Sequence, residues 1–139
     1  MYLTLFALIL ALMEALHDHA QQIGDARGVA RGIAYVVERD ELPRGWSREY
    51  AAAVLVVTSW EESGWRMGAR GDQGRAVCAF QVHADGERAI KLAADPIACT
   101  RAALAVMRIG AAQCPLAPLA PYCGGCASSA ARDVSARRL

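Results

Sequence analysis

A long apolar segment in the middle of the chain constrains the fold more than any other feature. Residues 50–60 read Tyr-Ala-Ala-Ala-Val-Leu-Val-Val-Thr-Ser-Trp and are apolar on every side of a helix. Such a helix needs neighbours all around it, so we expect it at the centre of the domain. Glu62 lies where this helix ends, and partial burial of a carboxyl group makes it a better proton donor near neutral pH. On position alone, an acid role for Glu62 and a simple surface position where the helix reaches water are equally good interpretations.

Three short motifs follow one another at and after the end of this segment. The first is Glu62-Ser63-Gly64-Trp65, the second is a Gly-rich stretch from Gly71 that leads to Gln81, and the third is Ala-Pro-Tyr-Cys-Gly-Gly around Tyr122. Together they resemble the motifs of the lysozyme-like superfamily of soluble lytic transglycosylases and goose-type lysozymes. That family has Glu-Ser-x-aromatic, a Gly-rich turn that ends in Gln, and Ala-x-Tyr-Asn-x-Gly. The resemblance covers roughly residues 47–139.

Two cysteines depart from the family pattern. Cys123 stands where the family has Asn after the Tyr, and Cys78 stands where a small apolar residue or Gly is usual. These changes put the substrate contact of the Asn in doubt. They leave Glu62, Gln81 and Tyr122 in place.

The resemblance implies cleavage of the β-1,4 bond between N-acetylmuramic acid and N-acetylglucosamine in peptidoglycan, without a metal or other cofactor. Glu62 would donate the proton to the leaving oxygen, and Ser63, Gln81 and Tyr122 would bind the substrate. In a lytic transglycosylase the muramic 6-hydroxyl attacks, so Glu62 would serve first as acid and then as base. Neighbouring helical residues point about 100° apart, so only one of Glu61 and Glu62 can face the cleft, and the family motif, with Ser directly after the catalytic Glu, selects Glu62.

Other functions remain open at the level of the sequence. A muramidase-type hydrolase needs a second carboxylate, and Asp72 is the candidate, although Gly-Asp-Gln-Gly is also ordinary turn chemistry. An inactive cell-wall binding or structural protein would keep the same fold. A redox or zinc module would use Cys123-Gly-Gly-Cys126, although zinc ribbons normally have two such pairs.

Length and composition predict one compact domain, and the helix signals described below predict that it is mainly α. The chain has 139 residues, of which 55% are hydrophobic and 21% charged, and this excludes intrinsic disorder. The net charge of +1 gives no field that would attract nucleic acid. From the resemblance we expect a lysozyme-like α-rich architecture with at most a vestigial β-hairpin, and we assign residues 23–139 to this catalytic domain. The sequence does not indicate the oligomeric state.

All five cysteines lie in the second half of the chain, at positions 78, 99, 114, 123 and 126. This concentration favours disulfides in an oxidising compartment over thiols in the cytosol. We expect the pairs Cys78–Cys99 and Cys114–Cys126, which would leave Cys123 as a free thiol, with Cys114–Cys123 as the other option. The location would then be periplasmic or extracellular.

The N-terminal segment, residues 1–22, is predicted to be a separate apolar helix. Residues 1–13 are apolar except for Thr4, but no basic residue precedes them and no cleavage site follows. An uncleaved anchor, a degenerate signal peptide and a first core helix remain open. We favour a signal-like segment with weak membrane association, and we expect His17 and His19 at the surface.

Local signals place the remaining helices. Asp25, Ser47 and Asp85 are predicted to cap helices, and Asp95-Pro96 begins another that runs to about Gly110. Residues 76–82 are predicted to form a short strand or extended segment. Ser128 or Ser129 would cap a last helix.

Overall fold

The structure is a computed structural model that describes residues 2–18, 23–114 and 119. These residues form five α-helices and one small antiparallel sheet, so the predicted mainly α fold is confirmed. The vestigial hairpin is present as a meander of three two-residue strands in the order β1-β2-β3. The helices are α1 (Tyr2–Leu16), α2 (Ala26–Arg39), α3 (Arg48–Ser63), α4 (Gly86–Ala94) and α5 (Pro96–Gln113), and the strands are β1 (Arg70–Gly71), β2 (Ala76–Val77) and β3 (Val82–His83).

Helix α3 is the apolar segment predicted to lie at the centre of the domain. Ser47 caps its first turn, because the Ser47 side chain accepts a hydrogen bond from Tyr50 N at 3.1 Å. Every residue from Ala51 to Val57 is buried or half-buried. Helix α2 buries as many residues over a shorter length, so the two helices share the centre of the domain.

Helix α2 crosses α5 in close contact at Gly32. A Cβ atom on Gly32 would lie 2.6 Å from the Pro96 carbonyl oxygen and 2.9 Å from Thr100 Oγ1. Only a residue without a side chain permits this approach. Glycine costs up to about 1 kcal/mol relative to alanine inside a helix. Gly32 therefore weakens α2 slightly but allows α2 to pack closely on α5.

The N-terminal helix belongs to the same hydrophobic core as the rest of the domain. Leu5, Ile9 and Met13 form one buried stripe along α1, at the spacing of a helix face that packs against α2 and α3. The opposite face is exposed, and Leu3 retains 77% of its accessible surface. In the described part of the chain, no helix is long and apolar enough to cross a membrane.

The predicted helix caps have mixed outcomes. Asp95 caps α5 as predicted, since its Oδ1 accepts hydrogen bonds from Ile97 N at 2.9 Å and Ala98 N at 3.2 Å. Asp25 stands at the N-cap position of α2 as predicted but makes no capping bond, because its carboxylate accepts a hydrogen bond from Met67 N at 2.8 Å, far along the chain. Asp85 precedes α4 but makes no capping bond. The helix expected after Ser128 lies outside the described residues.

A bidentate ion pair joins the end of α2 to α5. Arg101 Nε lies 2.5 Å from Asp40 Oδ2, and Arg101 Nη2 donates to Asp40 Oδ1 at 3.0 Å. The hydrogen bond from Arg101 lowers the pKa of Asp40 below its ordinary value of 3.8, and the charges of Arg101 and Arg108 act in the same direction. Asp40 is therefore ionised and paired at neutral pH.

The close contact at Gly32 can be tested against a matched glycine on the same helix. Gly32→Ala should lower the free energy of unfolding by about 1–3 kcal/mol, because the new Cβ meets backbone atoms of Pro96. Gly28→Ala is the control, since its Cβ would lie 3.5 Å from Pro96 Cγ, an ordinary contact. It should be neutral or stabilise the protein by up to about 1 kcal/mol. Equal denaturant midpoints for the two variants would contradict the proposed packing constraint.

Candidate functional site

The candidate site lies at the C-terminal end of α3. Glu62 is half-buried in the last turn of the helix, whereas Glu61 is exposed. Gly64 ends the helix in the left-handed conformation, with φ 60° and ψ 39°, which glycine adopts without steric cost. The sequence motif selects Glu62 over Glu61, and the difference in burial agrees with that choice.

Three aromatic rings pack together beside this helix end. The Trp60 and Trp65 ring centroids lie 4.6 Å apart, and Trp65 Nε1 donates to the Val56 carbonyl oxygen at 3.1 Å. His17, at the end of α1, packs edge-on with its centroid 5.0 Å from that of Trp60. The prediction that His17 is a surface residue was wrong, because the ring is half-buried among the tryptophans. The end of α1 thus packs onto the two tryptophans at the end of α3.

Ser63 connects the end of α3 to the sheet. Its buried hydroxyl lies 2.8 Å from the Ala79 carbonyl oxygen and 3.1 Å from the Ser59 carbonyl oxygen, and it accepts a hydrogen bond from Arg66 N at 3.1 Å. A hydroxyl has one proton to donate, and the shorter distance favours Ala79. These internal bonds favour a positioning role for Ser63 over the predicted contact with substrate.

Ala79 belongs to the turn between β2 and β3, and this turn carries Gln81. Cys78, Ala79 and Phe80 are fully buried, which is unusual for a turn because its backbone polar groups then need partners inside the protein. The Cys78 carbonyl accepts from Gln81 N at 3.1 Å and from Gln81 Nε2 at 2.9 Å. Gln81 is half-buried at the end of this turn, and one hydrogen of its side-chain amide is already donated to the Cys78 carbonyl.

A disulfide fixes the other side of the same turn. Cys78 and Cys99 are bonded, with their Cα atoms 6.3 Å apart, so the predicted pair is confirmed and the turn is tied to α5. Cys114 is also disulfide-bonded. Its partner lies outside the described residues, as do Cys123 and Cys126. Because Cys78 and Cys114 are disulfide-bonded, neither can serve as a further thiolate ligand for a metal at Cys123 and Cys126.

Asp72 follows Gly71, which packs against Gln81, and the Asp72 carboxylate pairs with His83. Gly71, next to Asp72, packs against the Gln81 amide so closely that a Cβ at this position would lie 2.6 Å from Gln81 Oε1. Asp72 Oδ2 and His83 Nε2 lie 2.7 Å apart, and both side chains are more than half exposed. The sequence motifs do not predict this pair. The pairing depends on the register of the sheet, which places Ala76 opposite both Gly71 and His83.

Strained backbone is concentrated in this part of the chain. All the non-glycine residues with positive φ in the described ranges lie between residues 65 and 81, and they are Trp65, Asp72, Gln73, Cys78 and Gln81. Left-handed conformations cost roughly 1–3 kcal/mol each outside glycine and often occur at functional sites. The strain is thus consistent with a site built from the end of α3 and the sheet.

The structure therefore links the segments that carry the predicted site residues, through contacts made by their neighbours. Ser63 joins the helix that carries Glu62 to the turn that carries Gln81, and Gly71 joins that turn to Asp72. Tyr122 lies outside the described residues. Across the described residues, no group of three or more potential metal ligands occurs.

Comparisons of the whole chain with protein families, curated proteins and solved structures found no match. The observed disulfide is compatible with a secreted protein, because such bonds persist in oxidising compartments.

The role of Ser63 can be tested against Ser59, which lies one helical turn earlier. Ser63→Ala should lower the free energy of unfolding by about 1–3 kcal/mol, because the buried Ala79 carbonyl loses its donor. Ser59→Ala should change it by less than about 1 kcal/mol, since the Ser59 hydroxyl bonds only to helix carbonyls of Leu55 and Val56. Chemical denaturation measures both values. Similar losses in the two variants would argue against a special role for the contact between Ser63 and Ala79.

Proposed function

We propose that the protein is a peptidoglycan lytic transglycosylase that cleaves the bond between N-acetylmuramic acid and N-acetylglucosamine. The observation that carries this proposal is the hydrogen bond from Ser63 to Ala79, at 2.8 Å. It fastens the turn that carries Gln81 onto the end of the helix that carries Glu62. A half-buried carboxyl group and an amide thus lie on neighbouring elements, as an acid and a sugar-binding group require.

In this proposal Glu62 performs both proton transfers. It first donates a proton to the leaving glycosidic oxygen, and the bond from the muramic anomeric carbon to that oxygen breaks. The ionised Glu62 then removes the proton from the muramic 6-hydroxyl, which attacks the same carbon and closes a 1,6-anhydro ring. The partial burial of Glu62 supports the acid role, because removal from water favours the protonated carboxyl group.

A hydrolase that uses Asp72 as its second carboxylate is the alternative reaction. Its support is that Gly71, the residue before Asp72, packs against Gln81. Against it, Asp72 is exposed and hydrogen-bonded to His83, so its carboxylate is not held ready for a water molecule or an oxocarbenium centre. A single-glutamate mechanism requires no such second group, and we therefore favour the transglycosylase.

The substrate would be the glycan strand, bound by Gln81 and by Tyr122. A location in the periplasm or outside the cell follows from the substrate and fits the disulfide between Cys78 and Cys99. Weak association of α1 with a membrane surface belongs to the same proposal, and the exposed Leu3 supports it. An inactive cell-wall binding protein with this fold is the outcome if catalysis is absent.

Substitution of Glu62 tests the catalytic proposal directly. Glu62→Gln keeps the size of the side chain but cannot donate the proton, so turnover of purified peptidoglycan should fall roughly 10²- to 10⁴-fold. Binding to the glycan in a sedimentation assay should persist. Glu61→Gln is the matched control, because Glu61 is exposed, and it should retain most activity. Full activity in Glu62→Gln, or none in the unaltered protein, would remove the enzymatic proposal.

Product analysis separates the two reactions. We expect mass spectrometry of the soluble fragments to show 1,6-anhydromuramic ends, with no oxygen from labelled water, and Asp72→Asn should leave the products unchanged. Reducing ends that contain solvent oxygen, and that disappear in Asp72→Asn, would instead establish a hydrolase with Asp72 as its second carboxylate.

A further inference from the structure

A groove at the opposite end of α3 has the properties of a ligand-binding site. It lies between the first turns of α1, the end of α2 and the start of α3, and its volume is about 650 Å³. Pockets that hold small molecules have roughly 300–1,000 Å³ and are mostly apolar. The apolar part of this groove is formed by Leu5, Leu8, Val37, Leu42 and Trp46. It is distant from the candidate catalytic site, because α3 alone is roughly 20 Å long.

The charges that line the groove are not balanced. Glu38 and Glu49 line it, and neither forms an ion pair with any residue in the described ranges. Asp40 also lines it but is paired with Arg101. Arg48 is the single cationic residue among the groove's lining residues. The groove therefore combines an apolar interior with an excess of negative charge.

One carboxylate oxygen in the wall of the groove lacks a partner. Glu38 Oε2 is buried and has no hydrogen-bond partner within the described part of the protein. A buried acceptor without a donor is unfavourable, and a charged acceptor more so than a neutral one. Glu38 as a whole is half-buried and lines the groove, so a ligand meets the accessible part of this side chain, and a cationic donor would bind the carboxyl group more strongly than a neutral one. Trp46 adds a large apolar surface to the groove, on which the body of such a ligand would lie.

We propose that this groove binds a small amphipathic organic cation, which consists of an ammonium group on an apolar body. The ammonium group lies against the Glu38 carboxylate and donates hydrogen bonds to it, and the body lies on Leu8, Leu42 and Trp46. The site does not depend on the proposed peptidoglycan chemistry, so either proposal can fail without the other.

A matched ligand series tests this site on the full chain. n-Octylammonium, 1-octanol and octanoate have the same alkyl tail and differ in the charge of the head group. Isothermal titration calorimetry should show that octylammonium binds at least roughly tenfold more tightly than octanol, and that octanoate binds most weakly. Equal affinities of octylammonium and octanol, or no binding by octylammonium, would overturn the proposal without the need for any variant.

Two substitutions then locate the interaction. Glu38→Gln should abolish the preference for octylammonium over octanol and leave the affinity for octanol unchanged. Glu41→Gln is the control, because Glu41 lies nearby and is exposed but does not line this groove, and it should retain the full preference. Circular dichroism verifies that each variant is folded. A tenfold preference that persists in Glu38→Gln would show that the cation binds elsewhere and would overturn the assignment.

Discussion

The hydrogen bond from the Ser63 hydroxyl to the Ala79 carbonyl is the contact on which the geometry at the end of α3 depends. The turn from Cys78 to Gln81 is buried, so its carbonyl groups cannot be solvated and must be satisfied by the protein. Ser63 supplies one donor and Gln81 supplies the others. Without them the turn would have to move toward water, away from the helix that carries Glu62. The need to satisfy the buried carbonyl groups of the turn thus keeps the turn that carries Gln81 close to the helix that carries Glu62.

The same region contains backbone that is unfavourable in isolation. Left-handed residues such as Trp65 and Cys78 persist because the surrounding structure holds them. Trp65 is anchored by its indole bond to Val56, and Cys78 is anchored by its disulfide to Cys99. Closing a loop of this length stabilises a protein by about 3 kcal/mol in the chain-entropy account, which is comparable to the strain of one or two such residues.

Sequence reasoning succeeded where the determining interactions are local. The caps at Ser47 and Asp95 and the burial of α3 follow from residues a few positions apart. It failed where the partner is remote in the chain, as for Asp25, which bonds to Met67 N, and for His17, which packs on Trp60. The pair of Asp72 with His83 needed the register of very short strands, and such strands leave almost no periodic signal. The buried hydroxyl of Ser63 could not be foreseen from its motif, because its partner lies in the second motif.

The disulfide between Cys78 and Cys99 also determines where residues can be inserted into the chain without moving the candidate site. It encloses α4 in a loop with a sequence separation of 21, and both ends of that loop are fixed on the core. The entropy of closing a loop grows only with the logarithm of its length, by roughly 0.6 kcal/mol for each doubling. Insertions around α4 would therefore leave Gln81 where it is. Evolution can alter the surface beside the site at this position, in length as well as in sequence, while the site itself remains unchanged.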